Sequence, residues 1–232
     1  MQKQNIETFI IAWNEADTIH LTIKHYQQFS KVILYDNFSD DNTREIAAKM
    51  GCEVRLFGRA GELNDAEYLK VKNYCWKSSK ADFVIVVDAD EILQEPTVFD
   101  GTIFNTKGFN IYSYDVPREA FFEIMTGHWD DNYSKSVIFS PKLEQINYSY
   151  GAHKSDPKGE VKYCSQILTL FHYRCIGGYE RIVNRHAKYR KRMGYLNKTL
   201  GLGSHYLYDD NRRIKEWKEF QEKSFEYSQA GT

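Results

Sequence analysis

Three carboxylates crowd into four positions at Asp88, Asp90 and Glu91, directly after the apolar run "FVIVV". Such a run reads as a strand buried on both faces, and acids at its end need a partner that neutralises them. Two carboxylates spaced two apart, where the chain leaves the pleat, can turn toward one ligand. With water and phosphate oxygens they suit Mg2+ or Mn2+, and such an ion on a diphosphate helps a phosphate leave. Two further polar clusters follow apolar runs: Trp13, Asn14 and Glu15 after "ETFIIA", and Asp36, Asn37, Ser39, Asp41 and Thr43 after "KVILY". Taken singly, Asn14–Glu15 or Ser39 with Asp41 would cap a helix. Helix N-termini also attract phosphates, so one residue can serve both purposes.

The elements that must position these clusters alternate. "ETFIIAW", "KVILYD", "EVRLF" and "FVIVVD" read as strands, and helical patterns stand between them: about Ala16 to Phe29, a capped helix ending at Gly51, and a helix from Asn64 through Trp76 opened by an Asn64/Glu67 capping box. Alternation of this kind predicts a parallel sheet wrapped by helices. In such sheets ligands bind beyond the carboxyl ends of the strands, so all three clusters are expected on one edge. Beyond residue 92 the pattern changes to shorter strands, "GFNIYSYDV", "SVIFS", "INYSY" and "QILTLFHY", and from Gly178 it is helical and charged. The expected organisation is one domain in three parts: a nucleotide-binding half (1–92), an acceptor-side half (93–177) and a helical extension (178–232).

The segments "IIAWNEADTI", "YDNFSDDNT" and "VVDADE", in that order and spacing over about residues 6 to 92, resemble the glycosyltransferases of the GT-A fold, family 2-like. The resemblance implies a metal-dependent enzyme that moves a sugar from a nucleotide-diphosphate donor, a UDP-sugar first among them, to a hydroxyl, with inversion. It implies that Ala12, Trp13, Asn14, Glu15 and Asp36 line the nucleoside pocket, with Asp36 on the base and Ser39 in the same turn. Asp88 and Ala89 then lie near the ribose, Asp88 and Asp90 hold Mg2+ or Mn2+, and His153 completes the metal shell. His172 in "LFHYR" is another relative-like histidine, read more readily as a core residue. The turn departs from the family at Asn37-Phe38, where relatives often carry Asp-Gly. For the catalytic base, Asp130 and Asp131 in "GHWDDN" come first and Glu119 next, although a solvated turn explains the aspartates better than a base does.

The block "RIVNRHAKYRKR" places Arg181, Arg185, Lys188 and Arg192 near one helical face. It reads as a solvated helix, as a diphosphate clamp using Arg185 and Lys188, or as a contact to a nucleic-acid backbone. The acceptor is accordingly a saccharide or surface glycan, or else a hydroxymethylated pyrimidine in DNA. A nucleotide-sugar binding protein without activity is the non-enzymatic rival. A nucleotidyltransferase would want a basic, glycine-rich loop after the first strand, and "AWNEAD" is acidic there. Among 232 residues 42% are hydrophobic, enough for a core, and the net charge of −1 excludes a globally basic nucleic-acid binder. The four cysteines lack CxxC spacing, which argues against a zinc site, and no apolar run reaches membrane-span length. A cytoplasmic setting, in a bacterial cell or a phage-infected host, is the expectation.

Overall fold

A computed structural model describes residues 4–228. The strands are β1 (Ile6–Ala12), β2 (Lys31–Asp36), β3 (Glu53–Leu56), β4 (Phe83–Asp88), β5 (Glu91–Leu93), β6 (Ile103–Tyr112), β7 (Thr126–Trp129), β8 (Ile138–Phe139), β9 (Tyr163–Cys175) and β10 (Phe225–Glu226). The helices are α1 (Ile19–Tyr26), α2 (Thr43–Lys49), α3 (Asp65–Tyr74), α4 (Gly178–Arg192), α5 (Tyr195–Leu200) and α6 (Asp210–Lys223). The sheet runs β10-β7-β6-β8-β4-β1-β2-β3, with β9 beside β6 and β5 beside β9. Its β3-β2-β1-β4 block is parallel, as is the long β6–β9 pairing, while the antiparallel pairings belong to short strands. The fold is therefore mixed α/β, with a central sheet of mostly parallel strands flanked by helices.

Alternation along the strands sorts the core into two layers. Ile10, Leu34, Ile85 and Val87 pack with α1 and α2. Phe9, Ile11, Ile33, Val84 and Val86 pack with Trp76 and the apolar face of α3 on the other side. Register fixes the ligand edge: Ala12 lies opposite Asp36, and Ile11 opposite Asp88. Just beyond, Asn37 donates to the Ala12 carbonyl at 3.0 Å and Ala89 to the Ile11 carbonyl at 3.1 Å. The three polar clusters thus leave the sheet at one level, as the alternation predicts.

Several boundaries differ from expectation. The first helix spans only Ile19–Tyr26, and α3 ends at Tyr74, short of Trp76. "INYSY" forms no strand. Asn147 has φ of 51°, which breaks the extended run, and the Tyr148 amide donates to Asn73 of α3 rather than to a neighbouring strand. "QILTLFHY" is the centre of the longer β9, which is held on one side by β6 and on the other by β5. Gly51 stands at φ of 81° just after α2, in the left-handed role its position predicts.

Candidate active site

The turn after β2 works as a cradle for the chain leaving β1. Asp36 accepts from the Ser39 amide at 2.8 Å and from its hydroxyl at 2.5 Å. Ser39 Oγ in turn accepts from the Asn14 amide at 2.9 Å, Thr43 Oγ1 from the Glu15 amide at 2.8 Å, and Asp41 from the Ala16 amide at 3.2 Å. The D-x-x-S-x-D-x-T spacing therefore supplies acceptors to three successive N–H groups and aims Glu15 inward. Phe38 takes φ of 55° in this turn, a conformation in which glycine is at ease and a bulky side chain is not.

The acids at the end of β4 have unequal tasks. Glu91 is 1% exposed; it accepts from the Asp88 amide at 2.9 Å and pairs with Lys135 at 2.6 Å, closing the turn. Asp88 pairs with Lys72 of α3 at 2.7 Å. Asp90 receives Arg185 of α4 at 3.1 Å, and the same guanidinium nitrogen reaches Glu15 at 2.6 Å. Burial alone would raise the Asp90 carboxyl, but Arg185 and the nearby His172 and Arg174 hold it well below the usual carboxylate range. Arg185 Nη1 is buried without a partner among the described residues.

His172 carries the clearest signal. Asp130 accepts from Asn110 Nδ2 at 2.8 Å, which fixes the amide so that Asn110 Oδ1 faces His172 Nδ1 at 2.9 Å. That nitrogen must then carry the proton, and Nε2 keeps a bare lone pair. Burial foremost, with help from Arg174 and Lys135, pushes this imidazole down to about 4, so the ring is neutral at pH 7. Nε2 lies 3.8 Å from Asp90 Oδ1. Two acceptors facing each other across that gap fit a small cation between them. A histidine whose other N–H is held by a polar partner is the usual form of an imidazole ligand. No group of three His, Cys, Asp or Glu side chains suited to a metal occurs among the described residues. The other positions around a Mg2+ or Mn2+ would thus fall to water and diphosphate oxygens, as is usual for these ions.

Glu15, Asp88, Asp90, His172, Arg174 and Arg185 line one cavity of about 180 Å³, with Ala12, Trp13, Leu63, Tyr68 and Leu69 as its more apolar end. Trp13 is stacked under Arg192 at 3.8 Å. Residues 8–100 match the family described as "Glycosyl transferase family 2". The match covers less than half of the chain, which over that stretch is similar to this family. Among solved structures, glucosyl-3-phosphoglycerate synthase from Mycobacterium tuberculosis, in complex with Mg2+ and uridine diphosphate, is 21% identical over 38% of this chain and 34% of its own, with a TM-score of 0.30. TarS from S. aureus is 15% identical over 79% of this chain and 39% of its own, with a TM-score of 0.45. This chain thus aligns with well under half the length of either. No curated protein matches it in sequence.

Of the residues singled out in the sequence, Ala12, Trp13, Glu15, Asp88, Ala89, Asp90, His153 and Arg185 line this cavity. His153 is at its exposed side, edge-on to Tyr133, and the imidazole facing Asp90 is His172. Asn14, Asp36 and Ser39 stand behind the cavity wall, in the cradle. Asp130 is committed to Asn110 and Asn132, Asp131 is exposed, and Glu119 borders a separate apolar hollow beside α1. Of the basic block, Arg181 pairs with Asp17, Arg185 with the acids, and Arg192 is buried against Trp13 and the Asn37 and Glu62 carbonyls, which leaves Lys188 exposed. Sequence reasoning passed over Lys72, Lys135, Asn110 and Arg174. Only Lys72 carried a signal: it shares a helical face with Tyr68 and Leu69, where a lysine must find a buried partner.

Proposed function

We propose that this protein transfers a sugar from a nucleotide-diphosphate donor to a hydroxyl, with a divalent ion held by Asp90 and His172. The observation that carries this reading is the pair of facing acceptors, Asp90 Oδ1 and His172 Nε2, at the level edge of β1, β2 and β4. The ion would offset charge on the leaving diphosphate. Arg185, with a buried Nη1 lacking an acceptor, is the protein's own donor to that diphosphate. Lys72 holds Asp88 in place beside the ribose end. Leu63, Tyr68 and Leu69 line the nucleoside end, and Asp36 acts there by closing the turn that carries Asn14 and Glu15. UDP is the nucleotide in this reading, and inversion at the anomeric carbon accompanies it through the family resemblance.

A nucleic-acid backbone is the weaker acceptor reading. It rested on a basic stripe along α4, and three of that stripe's four cations already have partners inside the protein. Calorimetry with UDP and Mn2+ tests the main proposal. Binding should need the ion, fall strongly with EDTA, and fall at least tenfold in Asp90→Asn. Equal affinity in all three conditions would remove the ion from the reading.

A further inference from the structure

A second cavity, of about 230 Å³, adjoins the first between β9, α4 and α6, and Tyr133, His172, Arg174, His186 and His205 border both. Two guanidiniums face it. Arg174 Nη2 donates to His186 Nε2 at 2.8 Å, and Arg213 Nη1 contacts His186 Nδ1. A neutral imidazole has one accepting nitrogen, so His186 satisfies one of these arginines and leaves an N–H of the other without an acceptor. Arg213 is 4% exposed, and its remaining described hydrogen bond is to the neutral His205 carbonyl. Among the described residues no carboxylate lies within 4.0 Å of either guanidinium; Glu216, which also lines this cavity, pairs with Arg212 at 3.5 Å. A buried cation such as Arg213, with no carboxylate at ion-pair distance, is costly. Burial first, then Arg174 and Arg213, holds the neighbouring His186 down to about 2 and His205 down to about 3, so both rings are neutral beside the two guanidiniums.

We infer that this cavity binds the phosphoryl group of the acceptor, so that the acceptor of the proposed transfer is a small hydroxyl compound carrying a phosphomonoester. A dianion matches two guanidiniums, whose forked donors suit phosphate oxygens. A volume of about 230 Å³ admits one phosphoryl group with a short carbon chain and is far too small for a duplex. The shared wall places the acceptor's hydroxyl end toward Asp90 and Arg185, where the donor diphosphate would lie. This inference rests on the donor-site reading given above, and its test separates the two.

Wild-type protein and Arg213→Gln are titrated with inorganic phosphate, glycerol 3-phosphate and glycerol, with and without saturating UDP and Mn2+, in phosphate-free buffer. The expected result is saturable binding of both phosphates beside bound nucleotide, glycerol 3-phosphate the tighter, no binding of glycerol, and at least a tenfold loss in Arg213→Gln with UDP affinity within twofold. Chemical shifts of the His186 and His205 rings in the wild type give a readout that needs no variant: phosphate should move both. If the wild type binds neither phosphate, or if phosphate competes with UDP and leaves those rings unmoved, the inference fails although UDP binding stands. If phosphates bind here but UDP does not, the donor reading fails and the anion site remains. Binding of duplex DNA in place of the small phosphates would also overturn it.

Discussion

Asp130 separates two roles that a sequence alone cannot tell apart. As a base it would face the acceptor; in the structure its carboxylate fixes Asn110, and Asn110 fixes the proton on His172. Asp130→Asn can then present an N–H to Asn110, turn that amide over and swap the imidazole tautomer, which brings a proton to Nε2. Removing such an outer partner typically costs about 10- to 100-fold in metal affinity. The Mn2+ concentration that half-saturates UDP binding should rise by about that factor, with UDP affinity at saturating Mn2+ little changed. A variant that keeps its Mn2+ dependence and loses only turnover would restore Asp130 as a base. The residue scale is also where reading from sequence did best and worst. The acids declared themselves because apolar strands do not end in carboxylates without a reason. Lys135, Asn110 and Arg174 are ordinary polar residues in weakly patterned segments, and their importance comes from partners 44, 62 and 12 positions away.

At the scale of elements, α1 braces the turn that carries Asp88 and Asp90. Thr22, His25 and Tyr26 lie on one helical face and reach the carbonyls of Ala89 at 2.6 Å, Leu93 at 2.9 Å and Glu91 at 2.9 Å, while the Tyr26 hydroxyl also accepts from the Leu93 amide. Tyr26→Phe strips partners from a buried carbonyl and a buried amide, which costs about 1–3 kcal/mol each. Urea unfolding should show a loss in that range or above it, and a change below about 0.5 kcal/mol would remove the brace. The sequence made β1 to β4 and their helices legible because each strand is a short apolar run with strong punctuation. β5, β7 and β10 are only two to four residues long and are set by long-range pairing, so no local pattern announces them. "INYSY" misled for the converse reason: its alternation is real, but its backbone is held by α3.

For the whole molecule, buried neutral histidines make stability depend on pH. His172 and His186 are pushed below the ordinary value of 6.5, to about 4 and about 2, by burial foremost. The unfolded chain therefore takes up protons that the folded one refuses. Stability is fully present above about pH 6.5 and is lost as pH falls from there toward those values, at about 1.4 kcal/mol per pH unit for each histidine. Urea midpoints in phosphate-free buffer at pH 7.5, 6.5, 5.5 and 4.5 should fall steadily below 6.5, and a flat series would mean the rings are already charged. The ion pairs around the ligand edge carry a different consequence, one that concerns synthesis. Glu91, Asp90 and Glu15 all emerge early in translation, but Lys135 arrives 44 residues after Glu91, and Arg185 arrives 95 after Asp90 and 170 after Glu15. Within the family-matched segment 8–100, Lys72 is the cation paired with the acids that end β4, while Lys135 and Arg185 lie beyond that segment. That edge of the cavity therefore gains its shared partner for Glu15 and Asp90 only from α4, the last-made of its walls to carry an ion pair.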